Sequence, residues 1–270
     1  MINGLTAAHH SLKPLATPLT TFVRCLWVLA WCWALVACSV IPQSPQADSS
    51  ASPPNPVLLQ ELPLHFSAKD TAQWDKVVLP GKLRTAYRLE RQPQGYALQA
   101  QAASSASMLR QRLRIAPEQL DRLTFDWRVE RLIAGADMVQ RETEDSPVRL
   151  ILVFEGDRQR FSAKNAMLSE LTHSLTGEPM PYATLMYVWC NQCPPESVIV
   201  NPRTDRIRKL PVESGPGRVG AWLSYTRDIR ADFEKAFGEA PGALLGVGLM
   251  TDTDNTRSTT RAWYGKVHLD

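Results

Sequence analysis

Residues 123–130 read Leu-Thr-Phe-Asp-Trp-Arg-Val-Glu, an unbroken alternation of apolar and polar side chains. Successive side chains of a strand point to opposite faces, so Leu123, Phe125, Trp127 and Val129 form a buried face. Thr124, Asp126, Arg128 and Glu130 then meet solvent. The same period runs just upstream, where Leu109, Leu113 and Ile115 alternate with Arg110, Arg112 and Arg114. Pairing the two segments as a hairpin around Pro117 sets Leu113 opposite Phe125, Leu109 opposite Val129 and Arg112 opposite Asp126. That register also sets Arg110 against Arg128, which counts against it. A slip by one residue would set arginines against the apolar face.

Residues 148–154 and 243–250 are apolar on both faces and read as central strands covered on both sides. Further strands are expected at 62–67, 85–90, 96–101, 183–189, 198–201, 221–227 and 262–269. Two short helices interrupt them. Residues 163–176 carry Met167, Leu171 and Leu175 at helical spacing, with Gly177 as the stop. Residues 229–237 put Ile229, Phe233, Ala236 and Phe237 on one face, with Asp228 as cap and Gly238 as end. Many strands and few helices predict an all-β fold, a two-sheet β-sandwich in which each sheet buries one face against the other. A jelly roll is the first topology expected, although period does not select it over other sandwiches.

The N-terminal region predicts where the chain works. Cys25 to Ala37 is an uncharged apolar run that follows Lys13 and Arg24, and no Asp or Glu precedes Cys38. Such a run is too short to span a bilayer, which needs about 20 residues, and it has the form of an export signal. Leu35-Val-Ala-Cys38 resembles a bacterial lipobox, which implies diacylglycerol on Cys38 and residues 1–37 removed as a signal peptide. An uncleaved anchor and an ordinary signal are the alternatives. Nothing after Cys38 resembles an inner-membrane retention signal, so the expected address is the periplasmic side of the outer membrane. Residues 38–57 form a Pro- and Ser-rich linker, which could reach about 60 Å when extended. Residues 58–270 form the domain.

Without the leader, which carries two basic and no acidic groups, the formal charge falls from +3 to +1. A near-neutral chain has no electrostatic reason to bind nucleic acid. Cys190 and Cys193 are the two cysteines that follow Cys38, separated by Asn191-Gln192 and followed by Pro194-Pro195. Zinc needs four ligands, and His65, His173 and His268 are scattered. A redox CxxC would open a helix, which the prolines oppose. A structural disulfide is the expected pairing.

The strongest candidate for a site is Met250-Thr-Asp-Thr-Asp-Asn-Thr256, where a buried strand ends in a polar loop. Asp252 and Asp254 are hard oxygen ligands and Asn255 adds a carbonyl oxygen, a set that suits calcium or sugar hydroxyls. A polar turn bonded to its own backbone is an equal alternative. Gly246 and Gly248 share a face with Asp252, leaving room for a ligand or, more ordinarily, for an aromatic ring from the facing sheet. Asp137, Glu142, Glu144 and Asp145 lead into Arg149. This arrangement fits a general acid/base pair or, more simply, ion pairing at a sheet rim. Arg110, Arg112 and Arg114 could meet an anionic ligand, but pairing with Asp126 and Glu130 is the simpler account. Trp74, Trp189, Trp222 and Trp263 could stack on sugar rings, although burial is the default for tryptophan. HExxH, GxSxG and P-loop motifs do not occur.

Ala106-Ser-Met-Leu-Arg110, Trp127-Arg-Val129, residues 181–189, Asp228-Ile-Arg-Ala-Asp-Phe233 with Phe237-Gly238, and above all residues 246–256 resemble the bacterial family DUF3047. The resemblance covers residues 62–270. It implies the domain and no mechanism, because that family has no established activity. The general look is similar to galactose-binding-like and carbohydrate-binding jelly rolls. Three functions fit these readings. One is a lipid-anchored module that binds a glycan or envelope component through Asp252, Asp254 and Asn255, with Asp145 and Arg149 near. Another is a hydrolase or lyase on envelope polysaccharide, with Asp145 and Asp252 about 5–9.5 Å apart across a cleft. The third is an envelope scaffold with an exposed apolar patch.

Overall fold

A computed structural model describes residues 61–270. The leader, Cys38 and the linker to residue 57 lie outside the described residues. In chain order the elements are β1 (Leu64–Phe66), β2 (Asp75–Val78), β3 (Ala86–Gln92), β4 (Gly95–Ala103), β5 (Ala106–Ile115), β6 (Arg122–Val129) and β7 (Ser146–Phe154). They continue with α1 (Ala163–Thr176), β8 (Ala183–Cys190), β9 (Ile199–Val200), β10 (Ile207–Ser214), β11 (Trp222–Asp228), α2 (Ile229–Phe237), β12 (Leu244–Asp252) and β13 (Thr259–Leu269).

The first sheet has the order β11-β6-β13-β4-β3, with β1 added to β13. The second has the order β2-β5-β12-β7-β8-β10-β9. Four antiparallel strands of each, β4-β13-β6-β11 and β5-β12-β7-β8, follow the strand order of a jelly roll. The fold is therefore the expected all-β sandwich. Its interior is the alternating face read from the sequence: Leu123, Phe125, Trp127 and Val129 are at most 1% exposed. The Phe125 ring stacks on Tyr187 of the opposite sheet at 5.5 Å and packs against Trp127 at 4.9 Å. Both helix caps behave as expected. The Asp228 carboxylate accepts from the Ala231 amide at 2.9 Å, and Gly177 and Gly238 end their helices with φ of 77° and 71°.

Three expectations are corrected. The segments 109–115 and 123–130 do not pair: β5 lies between β2 and β12, and β6 between β13 and β11. Their apolar faces meet across the sandwich instead of side by side. Arg110 and Arg112 consequently pair with Asp75 and Glu178, and Arg114 with Glu155, not with Asp126 or Glu130. Gly246 and Gly248 do not admit an aromatic ring from the facing sheet. A bulge at 244–246 turns Leu244 inward and leaves both glycines on the outer face, where Ile151 closes on Gly248.

Strand β10 was not foreseen. It runs parallel to β8, carries Lys209 buried, and holds Pro211 at a register shift, where a missing N–H is tolerated. The stripe Met167, Leu171 and Leu175 of α1 is 65%, 53% and 60% exposed, because the helix buries Asn165 and Ser169 instead. Among the described residues no helix is long and apolar enough to cross a membrane. Trp127→Ala should therefore cost about 3–5 kcal/mol, while Leu171→Ser should stay within about 0.5 kcal/mol, both read by urea unfolding.

Candidate functional site

Strand alternation places Arg149 of β7, Lys209 of β10 and Asp252 of β12 on the outer face of the second sheet. The segment 131–145 covers them. The Arg149 side chain is held from both ends. Its Nε and Nη2 donate to the two Asp252 carboxylate oxygens, each at 2.8 Å, and Nη2 also donates to the Glu144 carbonyl at 2.8 Å. Lys209 Nζ lies 2.6 Å from Glu144 Oε1 and donates to the Met138 carbonyl at 2.9 Å. Asn201 and Arg203 complete the partners of Glu144.

The loop after β12 is tied to the same cluster. Asp145 Oδ1 accepts from the Asn255 amide at 3.2 Å, and Oδ2 accepts from the amide and hydroxyl of Thr256, each at 2.7 Å. Asn255 Nδ2 donates to the Glu144 carbonyl at 3.2 Å. Asp254 pairs with Lys82. Arg257 sits at φ 54°, and Ser258 N–H closes onto the Thr253 carbonyl at 3.1 Å, so this is a tight turn clamped from outside by Asp145.

The structure thus brings together Asp145, Arg149, Asp252, Asp254 and Asn255. Burial opposes the charge of Arg149, but Asp252, Glu144 and Asp145 outweigh it and hold the guanidinium above the usual arginine range. Burial pushes the Asp252 carboxyl up, and Arg149 pulls it back. Burial, with Arg149 adding to it and Glu144 opposing, lowers Lys209 to about 8. Each acid has a cationic or amide partner. Asp145, Asp252 and Asp254 offer one oxygen each within 4.8 Å of one another, against the 6–8 oxygens calcium takes. With Arg149 bidentate on Asp252 and Lys82 on Asp254, the donor set fits a calcium ion poorly. It acts as a neutralised clasp between the loop, the segment 131–145 and three strands.

Two cavities of the domain lie elsewhere. One of about 380 Å³ lies between Arg114, Pro117, Glu155 and Gly242. Another, of about 150 Å³, opens on the first sheet, lined by Gln94, Tyr96 and Ala97, Asp126, Trp222 to Ser224, and Gly265 with Lys266. Its floor is shaped by a bulge in β13 between Tyr264 and Val267. A Cβ on Gly265 would stand 2.7 Å from the Asp126 carboxylate, so glycine is what lets Asp126 occupy the floor. That carboxylate accepts from Ser224 Oγ at 3.1 Å and from the Lys266 amide at 3.3 Å. Tyr96 is 46% exposed and Trp222 half-buried, whereas Trp74, Trp189 and Trp263 are buried. Sequence reasoning named Trp222 but not Tyr96, Asp126 or Lys266. The alternation had assigned Asp126 to the solvated face, but the bulge that groups the residues leaves no mark in the pattern. The cysteines at 190 and 193 form the expected disulfide, with Cα atoms 5.6 Å apart.

Fold and surface define a jelly-roll β-sandwich with an aromatic-edged groove on one sheet. The family described as "Protein of unknown function (DUF3047)" matches residues 72–268, and the chain belongs to it. No curated protein matches the chain. Among solved structures it is similar to a thermostable cellulase derived from Cel12A of Rhodothermus marinus, at 10% identity and a TM-score of 0.36, covering 77% of this chain and 100% of that one. It is also similar to the low-affinity xylan-binding module CBM86 of Roseburia intestinalis, at 13% identity and TM-score 0.28, covering 78% and 96%. A third is the glycoside hydrolase domain of Endo-D from Streptococcus pneumoniae R6, at 10% and 0.32, where 73% of this chain spans 22% of that one.

Two outcomes follow for the clasp. Arg149→Met leaves buried carboxylates unpaired and should cost about 3–5 kcal/mol in denaturant unfolding, more than Arg149→Met combined with Asp252→Leu. Lys209 releases its proton near pH 8 when folded, against a reference of 10.5. Between these values the unfolded chain holds the extra proton, so stability rises with pH. The cost of charging Lys209 is full below about pH 8 and fades by about 10.5. The unfolding free energy of the wild type, taken relative to Lys209→Met, should increase across that window; a flat difference would contradict the assignment.

Proposed function

We propose that this protein is a non-catalytic glycan-binding module of the bacterial cell envelope, tethered through lipid on Cys38. The observation that carries the reading is the groove on the first sheet. It combines Trp222, whose face suits the C–H faces of sugar rings, with Asp126, Ser224 and Lys266, which suit hydroxyls, while Tyr96 lines it with Lys69 Nζ 4.4 Å from its ring centroid. The strand order sets Tyr96 and Trp222 three strands apart, about 14 Å, which is room for a short oligosaccharide.

The carboxylates considered for hydrolysis do not favour turnover. Asp145 and Asp252 are 1% and 4% exposed and engaged with Thr256 and Arg149, and neither lines the groove. Positions 252–255 accordingly serve as the turn that fixes β12 to β13, and ligand contact passes to the sheet face.

Titration of the full chain with envelope oligosaccharides, followed by tryptophan fluorescence, tests the reading. Trp222→Ala should weaken binding about tenfold or more, as expected for loss of an aromatic anchor. Unaltered affinity in Trp222→Ala, or shortening of the sugar chains during incubation, would refute the module.

A further inference from the structure

A row of side chains crosses the outer face of the first sheet beside the groove. Register places Arg88 opposite Gln99, Gln99 opposite Trp263, Trp263 opposite Arg128, and Arg128 opposite Trp222. Five strands at about 4.8 Å make the row about 19 Å long. The Arg128 guanidinium lies over the Trp263 ring at 4.8 Å from its centroid. Trp263 is 5% exposed, and its Nε1 donates to Glu90 at 2.8 Å. It is therefore a bed beneath Arg128, not a platform for a ligand.

Charge matching is incomplete on the outer face of the first sheet. On the second sheet Arg110, Arg112, Arg114 and Arg149 each pair with a carboxylate. On the first, Arg227 and Arg261 pair with Asp232 and Glu130, but Arg88, Arg128 and Lys266 form no ion pair among the described residues, and Arg128 Nε, like Arg110 Nε, is buried without a partner. The nearby acids are engaged by neutral donors: Glu90 by Trp263, Gln92 and Gln99, and Asp126 by Ser224 and the Lys266 amide.

We propose that this face selects an acidic, uronate-bearing glycan. Arg128 and Arg88 pair with its carboxylates, Lys266 adds charge in the groove, and Trp222 stacks on a ring. A guanidinium presents paired N–H groups that a carboxylate accepts with charge assistance and the hydroxyls of a neutral sugar accept more weakly. The proposal rests on the glycan-binding reading and names its ligand class.

The test is calorimetric titration of the full chain with oligogalacturonate, an uncharged xylo-oligosaccharide and phosphatidylglycerol vesicles, at low and high salt. Oligogalacturonate should bind at least about tenfold more tightly than the neutral sugar, with affinity falling as salt rises. Arg128→Gln should remove that preference, and exposed Lys266→Gln, which leaves the Trp263 bed intact, should weaken it. Equal or tighter binding of the neutral sugar would overturn the proposal while leaving the glycan module standing. Binding of vesicles alone, or of nothing, would overturn both. A salt-insensitive preference, or one unchanged in folded Arg128→Gln and Lys266→Gln, would also overturn it.

Discussion

The two sheets hold together through the aromatic face that β6 turns inward. Phe125 and Trp127 meet Tyr187 from the opposite sheet and Tyr225 from the neighbouring strand β11 within 4.9–5.6 Å. Removing those rings from water is a large apolar contribution from one strand. It also orients everything else. With Phe125 and Trp127 inward, Asp126 and Arg128 must point outward, onto the face that carries the groove. With Leu150 of β7 inward, Arg149 must point outward, into the clasp.

The clasp and the groove illustrate how similar residue types serve different ends. Arg149, Lys209 and three acids are buried together, and each carboxylate meets a cation or backbone amides within hydrogen-bond distance. Such a network is costly to break on one side and has little left with which to bind a ligand. It fixes the turn from β12 to β13, and so the position of β13, whose bulge forms the groove floor. On the first sheet Arg227 and Arg261 have carboxylate partners, whereas Arg88, Arg128 and Lys266 form no ion pair among the described residues.

Much of the fold was legible in the residues, because period two reports which side chains are buried. It does not report which strand lies alongside. The faces of 109–115 and 123–130 were read correctly, while their pairing was not, since two apolar faces can meet edge to edge or across a sandwich with the same pattern. Strand β10 escaped notice because Arg208, Lys209 and Pro211 break the apolar signal, and only the clasp explains a buried lysine there. The gathering of Asp145, Arg149 and Asp252 was foreseen from their positions at strand ends. That their charges would be mutually satisfied depends on Glu144, Lys209 and Lys82, which local spacing does not connect. The groove depends on register across four strands and on one bulge, which is why its members lie scattered from Gln94 to Lys266.

The central claim is that ligand meets the first sheet and not the turn at 252–256. Hydrogen exchange of the full chain with and without a bound oligosaccharide addresses it directly, because protection reports where backbone amides are covered or stiffened. The account predicts added protection at 95–97, 126–128, 222–224 and 265–266, with residues 252–256 unchanged. Protection confined to 252–256 and 144–146 would contradict it and return the site to the aspartate loop.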